Sequence, residues 1–333
     1  PSSRMDDLQS LIDIPRIWTS LSRVEERLLE AATADDAYLT RIAQHLLVAG
    51  GKRFRPLLAL LAAEFGDYNG HHPVEAGVSV ELIHVGSLYH DDVIDEADTR
   101  RGATSVNANW SNTIAILAGD FLMARASEVA ATHLSQESVR LLAATYADLV
   151  EGQTRELQLD FDLDHGVDEY EQVIAGKTAS LIRTSARLGA LAADAADDVV
   201  DSLSDWAWEV GMVFQIADDA LDLVADEETI GKPAGSDIRE GKFTMPVLEA
   251  LAGPQGSRVR ILLEGARPYP DKVVTEVIDI VRSGGHVDTS LSEAGRRLEL
   301  ASKALASLPD GKPKQILETL GSYLVERVDA AKT

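Results

Sequence analysis

PLLALLAAEF, residues 56–65, is apolar on almost every side of a helical turn, as a helix buried in the middle of a large bundle must be. Pro56 suits the first turn of that helix, where an N–H would lack an intrahelical partner. The next segment, Pro73 to Asp95, sets Val78, Leu82, Val85 and Tyr89 at helical steps and leaves other faces to Glu81, His84 and an acidic end. Leu, Ala, Val and Ile recur every three or four residues through most of the chain, and no alternation of β-branched and polar residues is bounded by tight turns. The pattern predicts an all-α fold: a large single-domain helical bundle around a central cavity. No Pro-, Gly- or Ser-rich linker divides the chain, so residues 1–333 are expected to form one domain with a short N-terminal helical extension over about residues 1–40. Breaks between helices are expected at Gly50-Gly51, Asn69 to Pro73, Asp160 to Gly166, Gly231 to Gly241, Gly253 to Gly256 and Pro309 to Gly311.

Composition narrows the function. With 55 Asp+Glu against 31 Lys+Arg, the net charge of -24 opposes a broad basic surface for nucleic acid. The absence of cysteine excludes disulfides, thiolate metal sites and cysteine nucleophiles. No apolar run approaches the roughly 18 residues needed to span a bilayer, and the start, PSSRMDDLQS, lacks the layout of a signal peptide. A soluble, cytoplasmic protein is expected.

Asp91-Asp92-Val93-Ile94-Asp95 and Asp218-Asp219-Ala220-Leu221-Asp222 spell the same DDxxD pattern 127 residues apart. On a helix Asp91 and Asp95 share a face, as do Asp218 and Asp222. Carboxylates gathered this way repel one another unless a hard cation such as Mg²⁺ neutralises them, with phosphate oxygens completing its octahedron. The spelling alone is weak, since Asp fills 31 of 333 positions and a third copy stands at Asp197-Asp198-Val199-Val200-Asp201. That copy has no basic or glycine-rich neighbour and reads as a solvated helix start.

The flanks separate the other two. His84 lies seven residues before Asp91, two turns up the same helical face, and Arg100-Arg101-Gly102 follows the cluster. Such arginines can grip diphosphate oxygens in bidentate fashion. Gln215 shares a face with the second cluster, which is followed by Gly231-Lys232-Pro233-Ala234-Gly235-Ser236-Asp237 and by Glu240-Gly241-Lys242. Glycine-rich turns with a lysine bring backbone amides and an ammonium group to phosphate. None of these, nor Gly176-Lys177-Thr178, has the spelling of a nucleotide-binding P-loop. Lys52, Arg53 and Arg55 stand at a helix N-terminus, where they oppose the dipole and gain from a bound anion.

Taken in order and spacing, GGKRFRP, HDDVIDEADTRRG, GKTASL, FQIADDALDL, GKPAGSD and EGKFTMP resemble the motifs of the all-trans polyprenyl diphosphate synthases, of the medium- and long-chain type that makes hepta- to nonaprenyl diphosphates. The resemblance runs from about residue 40 to Arg327. It implies the type I isoprenoid synthase fold, a homodimer, and Mg²⁺-assisted condensation of an allylic diphosphate with isopentenyl diphosphate. By resemblance, Lys52, Arg55, His84 and Arg101 bind isopentenyl diphosphate. Asp91, Asp95, Asp218 and Asp222 hold three Mg²⁺ ions, with Asp92 and Asp219 completing the catalytic clusters. Arg100, Lys177, Thr178, Gln215, Lys232 and Lys242 contact the allylic diphosphate, and Lys177 is also counted as catalytic.

In that family bulky aromatics four or five residues before the first aspartate stop chain growth early, and here those positions are Ser87 and Gly86. Small residues leave the hydrocarbon path open, so a product of six or more isoprene units is expected, such as a menaquinone side-chain precursor. Brief contact with a membrane would help release so insoluble a product, although the acidic chain offers no basic amphipathic anchor. A geranylgeranyl diphosphate synthase is the nearest alternative. A non-catalytic subunit of a heteromeric synthase is expected to lose a cluster or a basic loop, and neither is lost.

Overall fold

In the computed structural model, which describes residues 2–69, 71–226 and 233–332, helix follows helix. The first eleven are α1 (Ser2–Leu11), α2 (Pro15–Ala31), α3 (Ala37–Val48), α4 (Phe54–Ala63), α5 (His72–Ile94), α6 (Val106–Asn109), α7 (Asn112–His133), α8 (Gln136–Leu159), α9 (Val167–Ile174), α10 (Ser180–Ala192) and α11 (Asp197–Val224). A five-residue π-helical turn, Ala175–Ala179, joins α9 to α10. Further helices span Ser236–Arg239, Met245–Ala252, Gly256–Leu263, Asp271–Ser283, His286–Leu305 and Lys312–Ala331. The chain forms two compact units, each discontinuous in sequence. One comprises residues 1–146, 181–204 and 307–316, the other 147–180, 205–306 and 317–333.

The first unit is built around the helix that PLLALLAAEF predicts. Every residue of α4 except Arg55 is buried, and α5 buries every residue from Pro73 to Ile83. Burying each leucine of α4 contributes roughly 2 kcal/mol before chain entropy is charged. Close helix crossings need glycine: a Cβ on Gly189 of α10 would lie 2.0 Å from the carbonyl oxygen of Ala59 in α4. Helix α2 buries Ile17, Leu21, Val24 and Leu28 and packs on α4 and α5 as part of the same core.

One element went unforeseen. Thr99–Arg100 and Ala103–Thr104 pair as a two-stranded antiparallel hairpin, too short to show any alternation. Its two-residue turn puts Arg101 at φ 54° and Gly102 at φ 74°, the left-handed pair that tight hairpins demand.

In the second unit the part of α11 beyond Asp205 is lined by Trp206, Val210, Val213, Ile216 and Ala220, all buried. The helix Met245–Ala252 packs on the helices Asp271–Ser283 and His286–Leu305. The expected breaks at Gly50-Gly51, Asp160 to Gly166 and Gly253 to Gly256 fall between helices; the span Gly231 to Gly241 includes the short helix Ser236–Arg239, and Gly231 and Lys232 lie outside the described residues. Among the described residues no helix is long and apolar enough to cross a membrane.

Candidate active site

In the first unit α5 carries His84, Asp91 and Asp92, and Asp95 caps its C-terminus with its amide bonded to the carbonyl of Asp91 at 2.8 Å. Asp91 is half-buried and Asp95 exposed, one turn apart on one side of the helix. Asp92, rotated about 100° from Asp91, points inward and is 1% exposed. It accepts from Arg100 Nε at 3.0 Å and Nη2 at 2.5 Å, while its other carboxylate oxygen is buried without a hydrogen-bond partner. The structure therefore brings Asp91 and Asp95 to the surface as an all-oxygen pair suited to a hard cation and commits Asp92 to Arg100.

The basic residues before α4 and after α5 converge on one another. Arg101 donates from Nη1 to the carbonyls of Leu46 and Gly50, at 3.1 and 2.6 Å, and its Nη2 lies 3.7 Å from buried Glu81. Arg53, at φ 52° and 3% exposed, donates to Glu25 and Glu81. Gly51 makes room for the pair, because a Cβ there would lie 2.9 Å from Arg53 Nη1 and 3.0 Å from Arg101 Cζ. Arg55 places Nη1 3.4 Å from His84 Nε2. Burial, and then the charges of Arg55, Arg101, Arg100 and Arg53, push the His84 imidazole well below its usual pKa, so the ring is neutral among cations. Lys52 is exposed beside this group. Arrayed around a neutral ring, these cations suit a polyanion of the size of a diphosphate.

The second unit wires the same spelling differently. Asp218 pairs with Arg327 Nη2 at 2.7 Å. Asp219 is buried and accepts from the hydroxyl of Tyr170 and from Gln215 Nε2 at 2.8 Å. Gln215 in turn accepts from Thr178 Oγ1 at 2.8 Å, so two predicted residues and Asp219 form one relay. Burial, with Asp237 nearby, raises the Asp219 carboxyl well above the usual range. Asp222, 2% exposed, accepts from the amide of Asp237 at 3.2 Å, and its carbonyl accepts from Gly235 N at 2.9 Å. This ties the glycine-rich segment to α11.

Lys177 and Lys242, far apart in sequence, meet on Glu156 Oε1 at 3.0 Å each, and Lys242 also reaches Asp160 at 3.2 Å. Burial would raise the Glu156 carboxyl, but the two lysines outweigh it and hold it below its usual value. The π-helical turn that carries Lys177 crosses α8 at its narrowest side chains: a Cβ on Gly152 would sit 2.8 Å from Lys177 N. On the other side Gly241, at φ 75°, accepts from the amide of Phe161 at 2.9 Å and packs against its ring, over which Arg267 stacks at 3.9 Å. Such π-helical turns recur at functional sites because they redirect a side chain.

Two placements alter the expectations. Arg100 is held by Asp92. Gly86 lies at a helix crossing, where a Cβ would meet Gly119 O and Met123 Cε of α7 at 3.1 Å each; Ser87 is half-buried beside it and donates to the carbonyl of His84 at 2.6 Å. The structure also adds residues that spelling did not single out: Glu156, Asp160, Tyr170 and Arg327. Asp197 and Asp198 occupy the exposed first turn of α11, as the third cluster was read.

Comparison with known proteins agrees with this chemistry. The sequence matches the Polyprenyl synthetase family over residues 36–281. It is 39% identical over 325 residues to the nonaprenyl diphosphate synthase of Mycobacterium tuberculosis, covering 96% of each chain. It is also 39% identical to heptaprenyl diphosphate synthase component 2 of Geobacillus stearothermophilus, covering 92% of this chain and 95% of that one. Among solved structures it resembles a polyprenyl synthase from Caulobacter crescentus complexed with calcium and isoprenyl diphosphate, with a TM-score of 0.88 at 32% identity over 97% and 98% of the two chains. A geranylgeranyl pyrophosphate synthase from Corynebacterium glutamicum, also with calcium and isoprenyl diphosphate, matches with a TM-score of 0.83 at 39% identity over 94% and 96%. Matched by the family model over residues 36–281 and 39% identical to a relative over 96% of both chains, the chain belongs to the polyprenyl synthetase family of prenyltransferases.

Proposed function

We propose that this prenyltransferase adds successive isopentenyl diphosphate units to an allylic diphosphate and releases an all-trans polyprenyl diphosphate of six or more units, a quinone side-chain precursor. The observation that carries the reading is the end of α5, where Asp91 and Asp95 lie one turn apart beyond an arginine-rimmed, neutral His84. The run of hepta-, octa-, nona- and decaprenyl synthases among the relatives supports the long product over geranylgeranyl diphosphate.

Asp91, Asp95, Asp218 and Asp222 would hold Mg²⁺, which supplies charge to stabilise the leaving diphosphate. Lys52, Arg55 and Arg101 take the isopentenyl diphosphate, and His84 accepts from Arg55 and keeps it aimed. Lys177 and Lys242 exchange Glu156 for oxygens of the allylic group, to which the resemblance also assigns Lys232. The allylic C–O bond then breaks with its electron pair on the diphosphate oxygen, giving a resonance-stabilised cation. The isopentenyl double bond attacks it to form the new C–C bond, and a proton leaves to the departing diphosphate as the new double bond closes. One catalytic domain, acting as a cytoplasmic homodimer, completes the proposal. Exposed Ile116 and Leu117 on α7, 43% and 53% accessible, support self-association, which Leu117→Glu should reduce in light scattering.

Chromatography of products from labelled isopentenyl diphosphate with dimethylallyl, geranyl, farnesyl or geranylgeranyl primers tests the reading; no incorporation by the chain alone from any primer overturns it. The path for the product is tested by Ser87→Phe, which should shorten it by at least one unit. Gly86→Phe is the poorer probe because it also forces α5 from α7.

A further inference from the structure

The end of α5 opposite Asp91 carries a second group of metal-ligating side chains of different chemistry. His71 directly precedes α5, Glu75 lies in its first turn and His133 ends α7. One donor atom from each, two imidazole nitrogens and a carboxylate oxygen, lies within 4.8 Å of the other two. Along α5 the sixteen residues from Glu75 to Asp91 put this group about 24 Å from the aspartates.

Its charges are arranged as a partly satisfied site. Glu75 is 1% exposed, beneath an exposed His71 and a half-buried His133. Arg27 donates Nε to Glu75 Oε1 at 2.7 Å but reaches Oε2 only at 3.2 Å, and its Nη1 is drawn to Glu30 at 2.6 Å. The less tightly held Oε2 is the oxygen that faces His133 Nε2, 4.0 Å away. Arg27 thus offsets one of two carboxylates and leaves a net negative charge beside two imidazoles. The His71 and His133 rings meet edge to face with centroids 5.4 Å apart. His71 is not on a loose tail, because Asn69 Oδ1 accepts from the amides of His71 and His72 at 3.1 and 3.2 Å.

We propose that His71, Glu75 and His133 form a site for one divalent transition metal of the zinc class, distinct from the magnesium chemistry of the aspartates. Two neutral imidazoles and a carboxylate suit zinc and leave a position for water, whereas Mg²⁺ favours oxygen ligands alone. Tetrahedral ligands about 2.0–2.1 Å from zinc stand closer than 4.8 Å to one another, so the imidazoles must swing inward. Arg27 gives up Oε2 and keeps Oε1. A bound metal ties the start of α5 to the end of α7, bracing the two helices whose contact Gly86 and Gly119 narrow.

The test is calorimetric titration of Zn²⁺ into the full chain with saturating Mg²⁺ present, which occupies the aspartates. One Zn²⁺ should bind per chain, equally in Asp91→Asn/Asp95→Asn, and at least about tenfold more weakly in His71→Ala/His133→Ala. That histidine variant should keep wild-type prenyl transfer and far-ultraviolet circular dichroism. Co²⁺ in place of Zn²⁺ should give the visible absorption of a four-coordinate nitrogen and oxygen site, lost in the histidine variant. No Zn²⁺ binding to the wild-type chain, binding that survives loss of both histidines, or binding abolished by the aspartate substitutions overturns the proposal.

Discussion

The clusters at Asp91–Asp95 and Asp218–Asp222 share a spelling and differ in nearly every partner. In both, the middle aspartate is rotated out of the face shared by the outer two and buried. In the first cluster a cation receives it: Arg100 holds Asp92 as an ion pair. In the second, neutral donors do, with Tyr170 and Gln215 on Asp219. The outer positions diverge too. Asp91 and Asp218 are both half-buried, Asp218 against Arg327, but the third aspartate is exposed in the first cluster, as Asp95, and buried against the amide of Asp237 in the second, as Asp222. A helical DDxxD therefore dictates that one carboxylate turns away from the other two, while the neighbours decide what each one does.

That contrast can be broken by substitution. The largest effects should come from the outer residues: Asp91→Asn and Asp218→Asn should each lower the incorporation of labelled isopentenyl diphosphate by at least about 10²-fold, the scale for removing a group that stabilises developing negative charge. Near-normal turnover in either variant would remove that cluster from the mechanism.

The middle residues should separate by stability. Asp92→Asn leaves Arg100 short of its counter-charge and should cost about 3 kcal/mol. Asp219→Asn can still accept from Tyr170 and should cost about 1 kcal/mol. Urea midpoints in the reverse order would contradict the assignment of ion pair and neutral network.

A smaller change is expected at Glu156. Its replacement by Gln releases Lys177 and Lys242 from a shared anion, so inorganic diphosphate should bind several-fold more tightly in calorimetry, on the scale of about 1 kcal/mol for a partly exposed pair. Unchanged or weaker binding would mean that the carboxylate positions the lysines instead of competing for them.

The smallest concerns pH. Because His84 has a folded pKa below the ordinary histidine value of about 6.5, the unfolded chain binds the proton first, and stability is lost as pH falls through about 6.5. His84→Gln should flatten that slope in urea unfolding between about pH 5 and 8. An identical slope would place the acid sensitivity elsewhere.

Some of this was legible before any coordinates. Apolar residues at helical spacing marked α4 and α5, because a helix without a polar face has nowhere to go but the core. The outer aspartates and Gln215 could be put on shared faces because helical geometry is local. The hairpin at Thr99–Thr104 was not legible, since two-residue strands have no period to read. Nor was the junction at Glu156, whose lysines lie 21 and 86 residues further along the chain. Nothing in DDVID distinguishes an aspartate that meets solvent from one that meets Arg100.

By itself, the sequence determined the all-helical architecture, the two acidic clusters and the basic, glycine-rich segments, because periodicity, spacing and charge are properties of neighbours along the chain. Tertiary structure alone decided which aspartate faces outward, which lysines share an anion, and that Gly86 serves a helix crossing. It also brought His71, Glu75 and His133 together from two helix ends. Those outcomes depend on which side chains from distant segments arrive at the same few ångströms, where burial makes every unpaired charge costly and so fixes each partner.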